Sequence, residues 1–422
     1  MILASFRKLI QTIVFGVLIP LIDTFIPKSK YQWGFSVHHI KSEQFIENAR
    51  ALFEEVKGDE KIRKIIFTRY KGIELDITDA VNYQVIELYT FRGLYEILRC
   101  GVLFVTHSVA MDYSYRYDKS KFTVLKLNLS KRNAVNLWHG IVLKKLFATA
   151  NPVVRKQLDR VKYRRYERKK YSGLITSSDF DSFSMCSIFH PIHYDNVWVT
   201  GLPRNDFLKK ELSDLPSYMQ KQLEKIHKIK KNRKLITYAP TYRQTAAVTG
   251  SSYYQFSEEE IQQLKEVLKK HNAVFGFRMH YFRNNENLFN MEDFCDDEYI
   301  FNLGHQVIEE IAPVIRESDV LITDYSSVFI DALYVNKPVF GFVYDIEHYM
   351  KEQDGFIYDY RSIFPGQAET SFDKLIKAID NELSKPMQIE SYKYKRQQSF
   401  FYKYLDNENS KRVVEKVINS IS

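Results

Sequence analysis

The sequence predicts an α/β protein built on doubly wound parallel sheets. Three observations carry that expectation. Short apolar runs of strand length alternate with longer segments at helical spacing through both halves of the chain. At 422 residues the chain exceeds what one core normally organises, so two domains are expected. Hydrophobic residues make up 45% of it, which excludes a largely disordered chain.

Met1 to Ile26 is strongly apolar, with Arg7 and Lys8 early. Ile2, Leu3, Phe6, Leu9, Ile10, Ile13, Val14, Val17, Leu18 and Leu21 fall at helical spacing, which suits a helix lying in a membrane interface. Gln11, Thr12, Gly16, Pro20 and Asp23 interrupt the run, so a span is the weaker expectation. A buried core helix is the plain alternative. Residues 1–28 are therefore set apart as a membrane-associating segment. No small-residue cleavage site follows, which disfavours a secretory signal.

Residues 29–228 are expected to form the first α/β domain. Ser42 to Val56 reads as a helix; Lys64–Thr68, Gly101–Thr106, Lys121–Asn128 and Ala134–Trp138 read as strands. Arg155 to Lys170 carries nine Lys or Arg. Such a run usually means a solvated helical face, and contact with acidic lipid or a polyanion is the sharper reading. Leu174–Thr176 and Val197–Thr200 give two further strands. The lysine-rich stretch Lys209–Lys234 holds the boundary.

Residues 229–390 form the second domain. Lys234–Tyr238, Ala273–Met279, Tyr299–Leu303, Val320–Thr323 and Val339–Val343 read as strands. Ser257 with Glu260 is a capping box for a helix to Lys270, and Val307–Glu317 reads as another helix. Residues 391–422 are expected as a C-terminal helical tail.

Composition narrows the chemistry. With 61 basic against 52 acidic residues the net charge is +9, which favours an anionic partner without choosing its kind. Cys100, Cys186 and Cys295 lie far apart, so neither a disulfide framework nor a zinc site is expected, and a reducing compartment fits. No Walker loop, GxGxxG or HExxH pattern occurs, which lowers the weight of those enzyme classes.

In doubly wound sheets, ligands bind outside the carboxyl ends of strands. Candidate residues recur at such ends: His139, Ser177, Arg204, Arg243, His280, Ser326 and Ser327. Arginine grips phosphate bidentately, and histidine can take a proton from an alcohol. Gly140 after His139 permits close approach, and the charges of Lys144 and Lys145 are expected to lower the His139 pKa. Hydroxyls at the helix start after Thr323 suit a phosphate, although Ser326 or Ser327 could simply cap that helix. Singly, each signal is weak, because a lone histidine is more often structural.

Four strings add a specific resemblance. Leu137-Trp138-His139-Gly140 with Leu143-Lys144-Lys145-Leu146 resembles the WHGTPLKKL signature of the CDP-glycerol glycerophosphotransferase family, the teichoic acid polymerases and primases. Thr200 to Asp206 is similar to that family's TGxPRND. Tyr238 to Arg243 is similar to YAPTWR, and Thr323 to Ser327 to TDYSS. The resemblance covers roughly residues 35–365, with the motifs in the family's order. Ile141-Val142 stands in place of Thr-Pro, Tyr242 in place of Trp, and Tyr281 in place of Pro.

The resemblance implies a GT-B fold with two Rossmann-like domains facing a cleft. It implies transfer of glycerol phosphate, or a related polyol phosphate, from a CDP-polyol to a hydroxyl of a lipid-linked or polyanionic glycan acceptor, releasing CMP. It implies that His139 is the base and His280 a second essential histidine. Arg243, Thr241, Asp324, Ser326 and Ser327 would bind the donor, and Gly140, Lys144, Arg204 and Asn205 the acceptor or a phosphate. No tightly bound cofactor and no nucleic-acid partner are expected, while a divalent-cation requirement is left open. The expected location is the cytoplasmic face of the membrane, against its anionic surface. Two rivals share these features: a GT-B glycosyltransferase using a nucleotide sugar, and a non-catalytic polyanion-binding protein using the basic run.

Overall fold

The protein is described from a computed structural model covering residues 9–38, 44–114, 125–150, 160–241, 253–279, 291–352, 355–386 and 391–421. The chain divides into two compact units. Unit 1 comprises Met1–Gly140, Asp159–Phe207 and Asp406–Ser422; unit 2 comprises Ile141–Leu158 and Leu208–Leu405.

Unit 1 is built on seven strands: β1 (Ser29–Ser36), β2 (Arg63–Thr68), β3 (Tyr83–Glu87), β4 (Cys100–Val105), β5 (Asn133–Asn136), β6 (Gly173–Thr176) and β7 (Val197–Val199). They run parallel in the order β3-β2-β1-β4-β5-β6-β7. The order reverses between β1 and β4, which makes their carboxyl ends the topological switch point. Trp33, Phe35, Phe67 and Phe104 are buried on these strands, as expected of a parallel sheet covered on both faces.

β1 lies inside the sheet between β2 and β4, yet Gln32, Gly34 and Ser36 interrupt its apolar pattern. A Cβ on Gly34 would sit 2.6 Å from a Leu103 methyl, so the crossing with β4 needs glycine. Gln32 is held by bonds to Glu96 and Arg63. Residues 125–128 of the expected strand Lys121–Asn128 are not strand; they lead into a short 3₁₀ turn at Leu129–Lys131. The rest of that expected strand, residues 121–124, lies outside the described residues.

Residues 9–13, the π-helical turn Val14–Leu18 and α1 (Ile19–Phe25) make one continuous helical stretch. Among the described residues no helix is long and apolar enough to cross a membrane. The basic run forms α4 (Arg160–Lys170), following α2 (Glu47–Val56) and α3 (Val109–Tyr113) in the chain. Its inner face is not solvated. Arg164 and Arg168 are buried, and Arg168 lies over Phe189. Glu167 accepts from the backbone N–H groups of Val109 and Ala110, the first residues of α3.

Unit 2 is built on β8 (Lys234–Tyr238), β9 (Ala273–Phe277), β10 (Ile300–Asn302), β11 (Val320–Thr323), β12 (Val339–Phe342) and β13 (Ala368–Glu369). These too are parallel, in the order β10-β9-β8-β11-β12-β13, with a switch point between β8 and β11. Aromatic rings fill one face: Tyr238, Phe256, Phe275, Phe277, Phe342 and Phe372 pack together. The capping box is present on α5 (Glu258–Lys270), with Ser257 accepting from Glu260 N. The helix expected from Val307 starts later, as α6 (Ile311–Glu317). Pro313 lacks an N–H and is tolerated only in a first turn, which sets that later start. α7 (Val328–Tyr334) follows β11, and α8 (Tyr392–Phe401) precedes α9 (Asn409–Ile421), which returns the chain to unit 1.

Candidate active site

In unit 1, three histidines follow three adjacent strands: His38 after β1, His107 after β4 and His139 after β5. They therefore collect at the switch-point end of the sheet. The His107 and His139 rings stack with centroids 4.7 Å apart, and His38 meets His107 edge-on at 5.6 Å. His107 Nδ1 lies 3.3 Å from an Asp112 carboxylate oxygen. The other oxygen of Asp112 accepts from the Thr106 and His107 backbone N–H groups.

His139 Nδ1 lies 3.4 Å from the Thr106 carbonyl oxygen. A carbonyl can only accept, so the ring proton belongs on Nδ1 and the Nε2 lone pair is left for a substrate. Desolvation pushes the His139 imidazole down to about 3; charge on His107 and Arg204 acts in the same direction, and Glu47 opposes it. The ring is thus neutral across the physiological range. Sequence reasoning assigned this lowering to Lys144 and Lys145, and the structure corrects the cause. Both lysines belong to unit 2, where Lys144 Nζ sits 5.3 Å from the centre of the Tyr349 ring and Lys145 N donates to Gly355 O.

Trp138, just before His139, has φ +48°. A bulky side chain is rarely found in that left-handed region. Asn136 Oδ1 accepts from Trp138 N at 2.8 Å, and Asn48 Nδ2 donates to the carbonyls of Leu137 and Trp138 at 3.0 and 2.9 Å. Asn48 Oδ1 accepts from Arg204 N at 2.9 Å. One buried amide therefore joins α2, the loop bearing His139 and Gly140, and the loop bearing Arg204 and Asn205. Next to Asn205, Asp206 accepts from Asn409 N, Ser410 N and Ser410 Oγ, and so caps α9. Gly201, at φ +79°, lets the same loop pass Asn409, whose amide oxygen would meet a Cβ at 1.8 Å. Ser177 belongs to a local turn, its hydroxyl donating to Asp181.

In unit 2, Thr241 follows β8, and Asp324, Ser326 and Ser327 follow β11, the two strands that flank the switch point. Asp324, fully buried, accepts from Thr241 N at 2.7 Å and from its neighbour Tyr325 N at 2.5 Å. It ties the end of β8 to the end of β11. Tyr360 Oη donates to Asp324 O, and Tyr325 Oη to Asp345. Ser326 Oγ is 3.4 Å from Val328 N. Ser327 occupies the cap position of α7 without a side-chain capping bond. Arg243 and His280 lie outside the described residues. Among the described residues no three His, Cys, Asp or Glu side chains group as a metal site.

Sequence reasoning missed His38, His107 and Asn48. His107 was within reach, since it follows an expected strand as His139 does. Asn48 gave no signal, being one polar residue inside an expected helix.

Comparison with known proteins places these motifs. A family model described as CDP-Glycerol:Poly(glycerophosphate) glycerophosphotransferase matches residues 29–419. A teichoic acid poly(glycerol phosphate) polymerase of Bacillus spizizenii is 32% identical over 292 residues, covering 67% of this chain and 69% of that protein. A teichoic acid poly(ribitol-phosphate) polymerase of the same organism is 32% identical over 229 residues, 54% of this chain but 34% of its own length. This chain thus spans about a third of that relative. The solved structure of the wall teichoic acid polymerase TagF shares the fold, with a TM-score of 0.74 at 21% identity over 99% of this chain and 98% of that one.

Proposed function

The chain belongs to the CDP-glycerol:poly(glycerophosphate) glycerophosphotransferase family, and from that premise we propose that it transfers glycerol phosphate from CDP-glycerol to a hydroxyl of a teichoic-acid-type acceptor. The observation that carries this reading is the coincidence of motif and topology. Three of the four family-like strings, at Trp138–Gly140, Ala239–Thr241 and Asp324–Ser327, follow β5, β8 and β11, strands that flank or adjoin a switch point, where doubly wound sheets bind ligands; the fourth, from Thr200, follows the edge strand β7.

The acceptor oxygen attacks the glycerol-bearing phosphorus, a new P–O bond forms, and the bond to the CMP phosphate oxygen breaks. His139 Nε2 takes the acceptor's proton, and CMP leaves. A base with pKa near 3 is weak. A nearby donor phosphate would stabilise the imidazolium and raise that value, so the base strengthens when the donor is in place. Ser326, Ser327, Thr241 and Arg243 supply hydroxyl, backbone and guanidinium groups for the pyrophosphate, with Asp324 fixing the loop geometry. His280 would steady the same charge. Gly140, Arg204 and Asn205 serve the acceptor side, and Lys144 contacts a phosphate.

The same reading puts the protein peripherally at the cytoplasmic face of a membrane, where CDP-linked donors are made. Support comes from the exposed apolar side chains of residues 9–25. The test is CMP release from a panel of CDP-glycerol, CDP-ribitol and nucleotide sugars with a poly(glycerol phosphate) acceptor. CMP released with CDP-glycerol supports the reading; nucleotide release from sugar donors alone would replace it with glycosyl transfer.

A further inference from the structure

The opposite end of the unit 1 sheet carries a second feature. A cavity of about 840 Å³ opens at the amino ends of β1, β4, β5 and β6. Lys28, Lys30, Lys131, Arg132, Lys169 and Lys170 line it, and none of its lining residues is acidic. Lys30, Lys131, Lys169 and Lys170 are exposed. From Lys30 to His38 the chain advances roughly 25 Å as a strand, so this cavity is separate from the histidine site.

Beside it runs an unusual surface. Leu9, Ile10, Ile13, Val17, Leu21 and Phe25 recur at helical spacing and are exposed, Val17 by 58%, Leu21 by 57% and Phe25 by 78%. Contiguous exposed apolar stripes mark interaction sites. Buried Asp23 locks the two features together. Its carboxylate pairs with Arg132 and with Lys28, the latter at 2.7 Å, and accepts from Asn128 N at 2.6 Å. Lys28 Nζ also donates to the Asp23 and Ile26 carbonyls at the end of α1. The apolar helix is thereby fixed at the rim of a cationic cavity.

We propose that this cavity seats the phosphate of an anionic phospholipid headgroup while the exposed stripe of residues 9–25 lies among the acyl chains. The pairing of a cation cluster with an adjoining apolar stripe favours a bilayer over a soluble polyanion, which would leave the stripe uncovered. The proposal rests on the membrane reading above and adds to it the lipid class and the residues that select it. Each lysine near an acidic surface strengthens binding several-fold.

The test is co-sedimentation of the full chain with vesicles of phosphatidylcholine alone and of phosphatidylcholine containing phosphatidylglycerol. The wild type should bind the second at least tenfold more tightly, with strong salt dependence. The variant Lys30→Glu/Lys131→Glu/Lys169→Glu, checked for folding by circular dichroism, should lose that preference by on the order of a hundredfold. Val17→Ser/Leu21→Ser/Phe25→Ser should weaken binding to both vesicles. If the wild type binds neither vesicle, the membrane reading fails and takes the cavity proposal with it. If the serine variant loses binding while the glutamate variant keeps its phosphatidylglycerol preference, only the cavity proposal is overturned. Displacement from vesicles by soluble poly(glycerol phosphate) that binds the wild type but not the glutamate variant would overturn it too, making the cavity a polymer seat.

Discussion

Asn48 holds Trp138 in a left-handed backbone conformation, its amide donating to the Trp138 and Leu137 carbonyls while its oxygen accepts from Arg204 N. Strained backbone of this kind costs about 1–3 kcal/mol and persists only where the surroundings fix it. The residue so fixed precedes His139. Replacing Asn48 by Ala removes these three hydrogen bonds and should cost about 3 kcal/mol of stability. In protein still folded at low temperature, turnover should fall more than donor KM rises. Chemical denaturation and steady-state CMP release check the two parts.

The His139 imidazole also makes stability depend on pH. Its folded pKa of about 3 lies below the ordinary histidine value of 6.5, so between those values the unfolded chain binds the extra proton. The contribution is fully present above pH 6.5 and is lost as pH falls toward 3, with a slope of at most about 1.4 kcal/mol per pH unit. The urea midpoint should therefore drop from pH 7 to pH 5 in the wild type and drop less in His139→Asn. Equal drops would show that the imidazole is not desolvated.

Asp206 is a cap rather than a ligand-binding residue, because its carboxylate is buried and committed to Asn409 and Ser410. Asp206→Ala should lower stability by about 2 kcal/mol, read as a lower thermal midpoint. CMP release per folded molecule should stay near wild type.

Ser327 makes no side-chain capping bond, so Ser327→Ala should leave the thermal midpoint within about a degree of wild type. If the hydroxyl binds the donor pyrophosphate, the KM for CDP-glycerol should rise about tenfold, the loss of one hydrogen bond to a charged group. A normal KM would remove Ser327 from the donor site.

Much of the fold was legible. Val320–Thr323 is a strand, and its flanks Asp324 to Ser327 and Val328–Tyr334 follow as turn and helix. What gave that away was a continuous apolar run ending in polar turn residues. β1 was hidden for the opposite reason: Gln32, Gly34 and Ser36 are buried through specific partners and close packing that leave no hydrophobic period. The site was legible as a list of strand ends but not as a place. Nothing in the string says that β1, β4 and β5 are neighbours, so the stacking of His107 on His139 could not be read from it. Asn48 is further still, since its three partners lie 89, 90 and 156 positions away.

The central claim is that His139 is the base of a CDP-glycerol-dependent transfer. The most direct measurement is CMP release by wild-type and His139→Ala protein at saturating CDP-glycerol and poly(glycerol phosphate) acceptor, with donor binding measured in parallel by calorimetry. Removal of a general base costs about 10²- to 10⁴-fold in rate. The account predicts a loss of that size in His139→Ala with donor affinity kept within a few-fold. A folded His139→Ala protein that releases CMP at the wild-type rate would contradict it.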